Sequence, residues 1–158
     1  MSEIKNKKKK SSIIQISIGV LAVILALLII IMMGIVSDIQ GTARIVNYTG
    51  LVRGETQRLI KLELSTQQEN EMIHEIRTFI DGLRNGNDEL NLVRLNDVDF
   101  QNEMQELDDK FSDLYKKIHL VRFKGAKNTD IIPESEEFFV ICDEATGLAE
   151  KYSQKKAT

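Results

Sequence analysis

The chain has 158 residues with 21 basic and 24 acidic side chains, enough for one domain once a membrane anchor is set aside. Five of the basic residues (Lys5, Lys7, Lys8, Lys9 and Lys10) and one of the acids (Glu3) fall in the first ten positions, leaving 16 basic against 23 acidic, a net of −7, for the rest. An acidic body argues against nucleic acid as a partner, since that needs clustered lysine and arginine; the lone Cys142 rules out an intrachain disulfide or thiolate metal site, and His74 and His119 have no ligand partner at metal spacing.

From Ile13 to Val36 the chain reads IIQISIGVLAVILALLIIIMMGIV, without a charge and with only Gln15 and Ser17 as polar side chains. Twenty-four residues at a rise of ~1.5 Å cover ~36 Å, against a hydrocarbon core of ~30 Å. Residues 13–36 are therefore expected to form a membrane helix with room to tilt. The lysine run ahead of it places residues 1–12 in the cytoplasm and residues 37–158 outside, by the positive-inside rule. A cleaved signal peptide fits less well. Its apolar region would be roughly 7–15 residues long, and Met32-Met33-Gly34-Ile35-Val36 offers no small-x-small cleavage site.

Beyond the anchor the hydrophobic period is helical, and no alternating strand pattern interrupts it. The first outer helix is expected from about Ser37 to Thr66, running on from the membrane helix. A polar turn at Thr66-Gln67-Gln68-Glu69-Asn70 follows. The second helix gathers Met72, Ile73, Ile76, Phe79, Ile80 and Leu83 on one face and stops at Gly86-Asn87. Residues 87–97 read as a polar loop with Leu90, Leu92, Val93 and Leu95 partly tucked in.

The third helix carries Phe100, Met104, Leu107, Phe111, Leu114, Ile118 and Val121, spaced alternately four and three apart, which predicts a buried stripe. Gly125-Ala126-Lys127-Asn128 closes it. The fourth starts near Pro133, a favoured first-turn residue, with Glu134, Glu136 and Glu137 at the positive end of the dipole. Its apolar face is Phe138, Phe139, Ile141, Cys142, Ala145, Leu148 and Tyr152. The fold class expected is all-α: a transmembrane helix continuing into an antiparallel four-helix bundle. In an up-down-up-down order the fourth helix returns towards the membrane. With no second apolar run before Thr158, the chain is expected to be either a sensor portion ending before its output half or a complete single-pass protein.

The first outer helix carries two apolar lines. One is Ile39, Ala43, Val46, Gly50, Arg53, Gln57, Ile60 and Leu64; beside it runs Ile45, Tyr48, Val52, Leu59 and Leu62. Two such faces suit a helix that packs inside its own bundle and against a partner, most simply a parallel second copy. Arg53 falls on that seam with Gly50 one turn earlier. Two arginines near a twofold axis repel, and a small planar anion shared between their guanidinium forks would replace repulsion with charge-assisted hydrogen bonds. The alternative is that Arg53 reaches the surface or pairs with a nearby carboxylate such as Glu55. Gly41, Gly50 and Gly54 each cost ~1 kcal/mol in a helix interior, which close helix approach or a ligand would justify.

The stretch Ala43 to Leu59, ARIVNYTGLVRGETQRL, resembles the P-box helix of bacterial nitrate/nitrite sensor histidine kinases and the start of the sensor domain of type IV pili chemotaxis transducers. The shared pattern is Asn-x-Ala-Gly-x-x-Arg followed four and five residues later by Gln-Arg or Tyr-Arg. Asn47, Gly50, Arg53, Gln57 and Arg58 fall in register. Thr49 stands where alanine is usual, and Gly54-Glu55-Thr56 replaces Met-Gln-Ser. The resemblance implies a dimeric extracytoplasmic four-helix sensor between two membrane helices, feeding a kinase, cyclase or chemotaxis output. It implies that Arg53 holds the anion at the dimer axis beside Gly50, and Asn47 and Gln57 complete the candidate site. No cofactor is implied.

An enzyme is the weakest reading of these residues. Paired acids such as Asp108-Asp109 suit solvated helix faces, and no Ser/His/Asp set, phosphate loop or kinase motif is present. The sensor competes with a single-pass scaffold whose outer helices bind another envelope protein.

Overall fold

The computed structural model describes the backbone of residues 2–157 and the side chains of residues 14–37 and 39–155. The side chains of the basic tail, residues 1–12, lie outside that range. The described residues form four α-helices: α1 (Ser2–Leu64), α2 (Asn70–Asn85), α3 (Val98–Lys124) and α4 (Ile132–Ala157), with a 3₁₀ turn at Ala126–Asn128 between the last two. Among the described residues no strand forms; a single bridge between Asn87 and Leu92 is the only extended pairing. The chain divides into two compact units, Met1–Ile39 and Gln40–Thr158.

In the first unit, every described side chain from Ile14 to Ser37 is exposed. This apolar stretch lies in the one helix among the described residues long and apolar enough to cross a membrane.

In the second unit the four helices share one apolar core. The alternating stripe of α3 is buried as its spacing predicts: Phe100, Met104, Leu107, Phe111, Leu114, Ile118 and Val121 are all enclosed. Each such side chain contributes ~1.5–3 kcal/mol on leaving water. Pairs between α3 and α4 fix their alignment, because positions rise along one helix as they fall along the other: Lys110 meets Glu137, and Lys117 meets Glu134 at 2.6 Å. Between α2 and α3, Arg84 reaches Asp108 and Gln105. Two turns earlier on α2, Arg77 lies over the rings of Phe111 and Tyr115, 5.4 and 4.9 Å from their centroids.

The helix ends follow local chemistry. The Asp97 side chain accepts from the Phe100 amide at 3.0 Å and starts α3. Gly86 and Gly125 take φ values of 85° and 87° after α2 and α3, a conformation few other residues adopt without strain. In the loop between them, Asn87 and Leu92 exchange two backbone hydrogen bonds of 2.8 Å, and Asn87 Oδ1 accepts from the Leu90 amide. That tight turn drives Leu92 and Leu95 fully into the core and leaves Val93 exposed. Leu92 and Leu95 are thus core residues, Leu90 is half-buried against them, and Val93 is not tucked in.

Candidate functional site

The inward line of α1 sets where its outer residues point. Ile45, Val52 and Leu59 recur every seven residues and are fully buried. Interleaved with them, also seven apart, are Thr42, Thr49, Thr56 and Glu63, all buried. The core edge of α1 therefore alternates apolar and polar layers, a pattern that apolar periodicity alone misses. Its signal was the heptad recurrence of small hydroxyl residues. The second apolar line of the sequence reading is the inward one, with Tyr48 and Leu62 half-buried on its flank and the Tyr48 ring edge-on to Phe79 at 5.1 Å.

The first line runs along the flank that α1 turns towards α4. It is only partly enclosed: Ile60 is buried, Val46, Gln57 and Leu64 are half-buried, and Ile39, Ala43, Gly50 and Arg53 are exposed. Asn47, Gly50, Gly54 and Lys61 lie on the solvent side of the same helix. A methyl group placed on Gly41, Gly50 or Gly54 would meet nothing within 4 Å. No contact inside the chain therefore requires these glycines.

Arg53 meets α4. Its Nη1 lies 3.0 Å from Oδ1 of Asp143, with the two side chains 44% and 58% exposed. The nearby-carboxylate alternative is corrected in its partner: Glu55 pairs with Arg58 at 3.8 Å instead. Residues two apart on a helix point to different sides, so Glu55 and Arg53 do not face each other. One turn earlier, the Thr146 hydroxyl lies 2.9 Å from that of Thr49 and 2.8 Å from the Cys142 carbonyl, while Thr49 donates to the Val46 carbonyl at 2.8 Å. Arg44 donates to the Asn91 carbonyl at 3.3 Å. Of the four candidate residues, Asn47, Gly50 and Arg53 are thus accessible and Gln57 is half-covered; α4 adds Asp143 to their neighbourhood.

The neighbouring Cys142 is a free, buried thiol. Burial, reinforced by Asp143 and opposed by Arg53, pushes its thiol up to about 12, so it stays protonated. Among the described residues no three His, Cys, Asp or Glu side chains gather where a metal ion could be held. A groove of about 500 Å3 lies elsewhere, between Leu64 and the 126–132 connection, away from Arg53. No family model, curated protein or solved structure matches the chain.

Proposed function

We propose that the chain is the membrane-anchored, extracytoplasmic sensing part of a bacterial signalling receptor of the histidine kinase, cyclase or chemoreceptor type. In this reading residues 13–36 cross the bilayer once, with the amino terminus cytoplasmic and the bulk of the chain outside. The outer residues form an antiparallel four-helix bundle that pairs with a second copy through α1. A small anion is held at that interface by Arg53, with Gly50, Asn47 and Gln57 around it.

One observation carries the reading. The part of α1 bearing Asn47, Gly50, Arg53 and Gly54 is turned away from the chain's own core, and its glycines make no contact that would explain them. A helix pays ~1 kcal/mol for each glycine in its interior. A close second helix with a guest beside Arg53 accounts for that cost, and the chain's own packing does not. The likeness to the nitrate sensor helix and the apolar stretch ahead of it support the same reading.

The test uses the full chain in lipid nanodiscs, unfolded thermally with sodium nitrate, nitrite, formate and acetate in turn. A ligand at 100 times its Kd stabilises by ~2.7 kcal/mol. The expected result is a raised melting temperature with at least one of these anions, lost in Arg53→Ala. The same shift in Arg53→Ala, or none in either protein, removes the sensing role.

A second reading has its own observation. Phe123, on the last turn of α3, is 86% exposed, with Leu120 and Ile132 also exposed. Apolar surface of this kind suits a protein partner, so a scaffold that docks another envelope protein there is the alternative. Phe123→Ser would abolish capture of that partner and leave the anion response intact.

A further inference from the structure

We propose that Asp143 is the resident counter-ion of Arg53, that a guest anion must displace it, and that occupancy of the site thereby loosens α4 from α1. This rests on the anion-site reading of Arg53 and adds how that site is regulated. The guanidinium has five N–H donors, and the structure gives it a single ion contact, to Asp143 Oδ1 at 3.0 Å. The contrast within the same fold is Arg122, whose Nε, Nη1 and Nη2 all donate to Glu63 or Asn70. A half-exposed pair with one contact is among the weakest ties between helices. An anion that accepts from two donors at once can outcompete it.

The rest of the seam at this level is built from contacts that each have a substitute. Thr146 can give its one proton to Thr49 or, 2.8 Å away, to its own helix at the Cys142 carbonyl. Thr49 has the Val46 carbonyl at 2.8 Å for its own proton. Asp143 is open enough for water to replace Arg53. Breaking the seam here therefore strands no buried polar group, the usual penalty for parting two helices. Elsewhere the helices are held by firmer means: α3 to α4 by apolar packing that includes the Phe111 and Phe138 rings, 5.8 Å apart, and α3 to α1 by the buried Arg122–Glu63 pair. The geometry thus leaves α1 and α4, at the level of Arg53, as the pair that can separate.

The test compares the full-length protein in nanodiscs with Asp143→Asn, Asp143→Glu and Arg53→Ala, titrated with sodium nitrate and sodium acetate by calorimetry. Amide exchange is followed over residues 142–149. Removing the competitor is expected to tighten anion binding about two- to fivefold in Asp143→Asn, with Asp143→Glu close to wild type and Arg53→Ala without binding. The anion is expected to raise exchange over 142–149 in wild type and to change it little in Asp143→Asn, where that turn is already released. Equal affinity in wild type and Asp143→Asn, with Arg53→Ala inactive, overturns the counter-ion and leaves the anion site standing. Unaltered binding in Arg53→Ala, or no binding in any of the four proteins, overturns both.

Discussion

Arg122, in the last turn of α3, grips both carboxylate oxygens of Glu63, the penultimate residue of α1. Glu63 is buried, and its Oε1 also accepts from the Glu69 amide at 3.2 Å, while Arg122 Nη1 donates to Asn70 at 2.7 Å. Glu63 raises the Arg122 guanidinium still further above its ordinary value. One ion pair thus ties the end of α1, the turn after it, the start of α2 and the end of α3.

Removing one side of that pair leaves the other buried and uncompensated. Arg122→Ala is expected to cost ~3 kcal/mol of stability, and Glu63→Gln less, because an amide keeps part of the hydrogen bonding. Replacing both, as Arg122→Met with Glu63→Leu, should recover most of the loss. The chain has no tryptophan, so the measurement is urea unfolding of the full chain in micelles followed by circular dichroism. A loss for Arg122→Ala below that of an ordinary surface change would show that the clamp does not hold these ends.

Thr49 and Thr56 occupy equivalent positions one heptad apart on the core edge of α1, yet their hydroxyls fare differently. Thr49 is bonded to Val46 and Thr146, whereas Thr56 Oγ1 is buried and finds no hydrogen-bond partner among the described residues. Thr56→Val replaces an unsatisfied hydroxyl with a methyl of similar shape. It is expected to stabilise by ~1 kcal/mol. Thr49→Val should destabilise by a similar amount, since it breaks a made bond. Paired thermal melts of the two variants check the contrast, and equal signs would defeat it.

The difference between these two threonines also shows what the sequence could and could not reveal. The α3 stripe was legible because every inward position from Phe100 to Val121 is apolar, so the period of burial and the period of hydrophobicity coincide. On α1 they do not coincide, since every other inward layer is Thr or Glu, and the apolar residues left over trace two candidate lines. Packing against α2 and α4 decides between them, and it chose Ile45, Val52 and Leu59. The accessible position of Arg53 on α1 follows from that choice. Its partner Asp143 lies ninety positions away and depends on how α1 and α4 align, which no local pattern encodes. Val93 differs for another reason: the Asn87–Leu92 turn sends Leu92 inward and its neighbour Val93 outward, and only the backbone pairing reveals that phase.

Acid should affect α3 and α4 through Glu103. Burial first, then Glu144 and Glu106, raise its carboxyl above the ordinary value of 4.5, and its Oε1 is buried without a partner. A group raised in the folded state binds its proton more tightly there than in the unfolded chain. Its contribution to stability is complete below pH 4.5 and is lost as pH rises through the raised value. Glu103→Gln keeps the neutral form at every pH. It is expected to be more stable than wild type at pH 7, by a few tenths of a kcal/mol up to ~1, with the gap closing near pH 4. Melting curves of both proteins across that range test it; a gap that does not narrow with acid would mean that Glu103 is not the titrating group.

Gly50 and Gly82 sit in helices for opposite reasons. A Cβ on Gly82 would come within 3.1 Å of Leu92 Cδ1 and 3.2 Å of Asn87 Cβ, so the loop after α2 rests directly on that glycine. Gly82→Ala must push the turn away and is expected to destabilise by ~1–3 kcal/mol. A Cβ on Gly50 meets nothing within 4 Å. Within a single chain Gly50→Ala is therefore expected to stabilise α1 by ~0.4–1 kcal/mol, through lower backbone entropy in the unfolded state. If the outer face of α1 packs against a second copy, the same methyl obstructs that approach. The variant would then melt higher as a monomer, form fewer crosslinked dimers in nanodiscs and lose its response to anions. Higher stability with unchanged crosslinking and unchanged anion response would place the interface somewhere other than this face of α1. Gly50 would then be a tolerated weakness of the helix, and the case for a guest beside Arg53 would lose the observation that carries it.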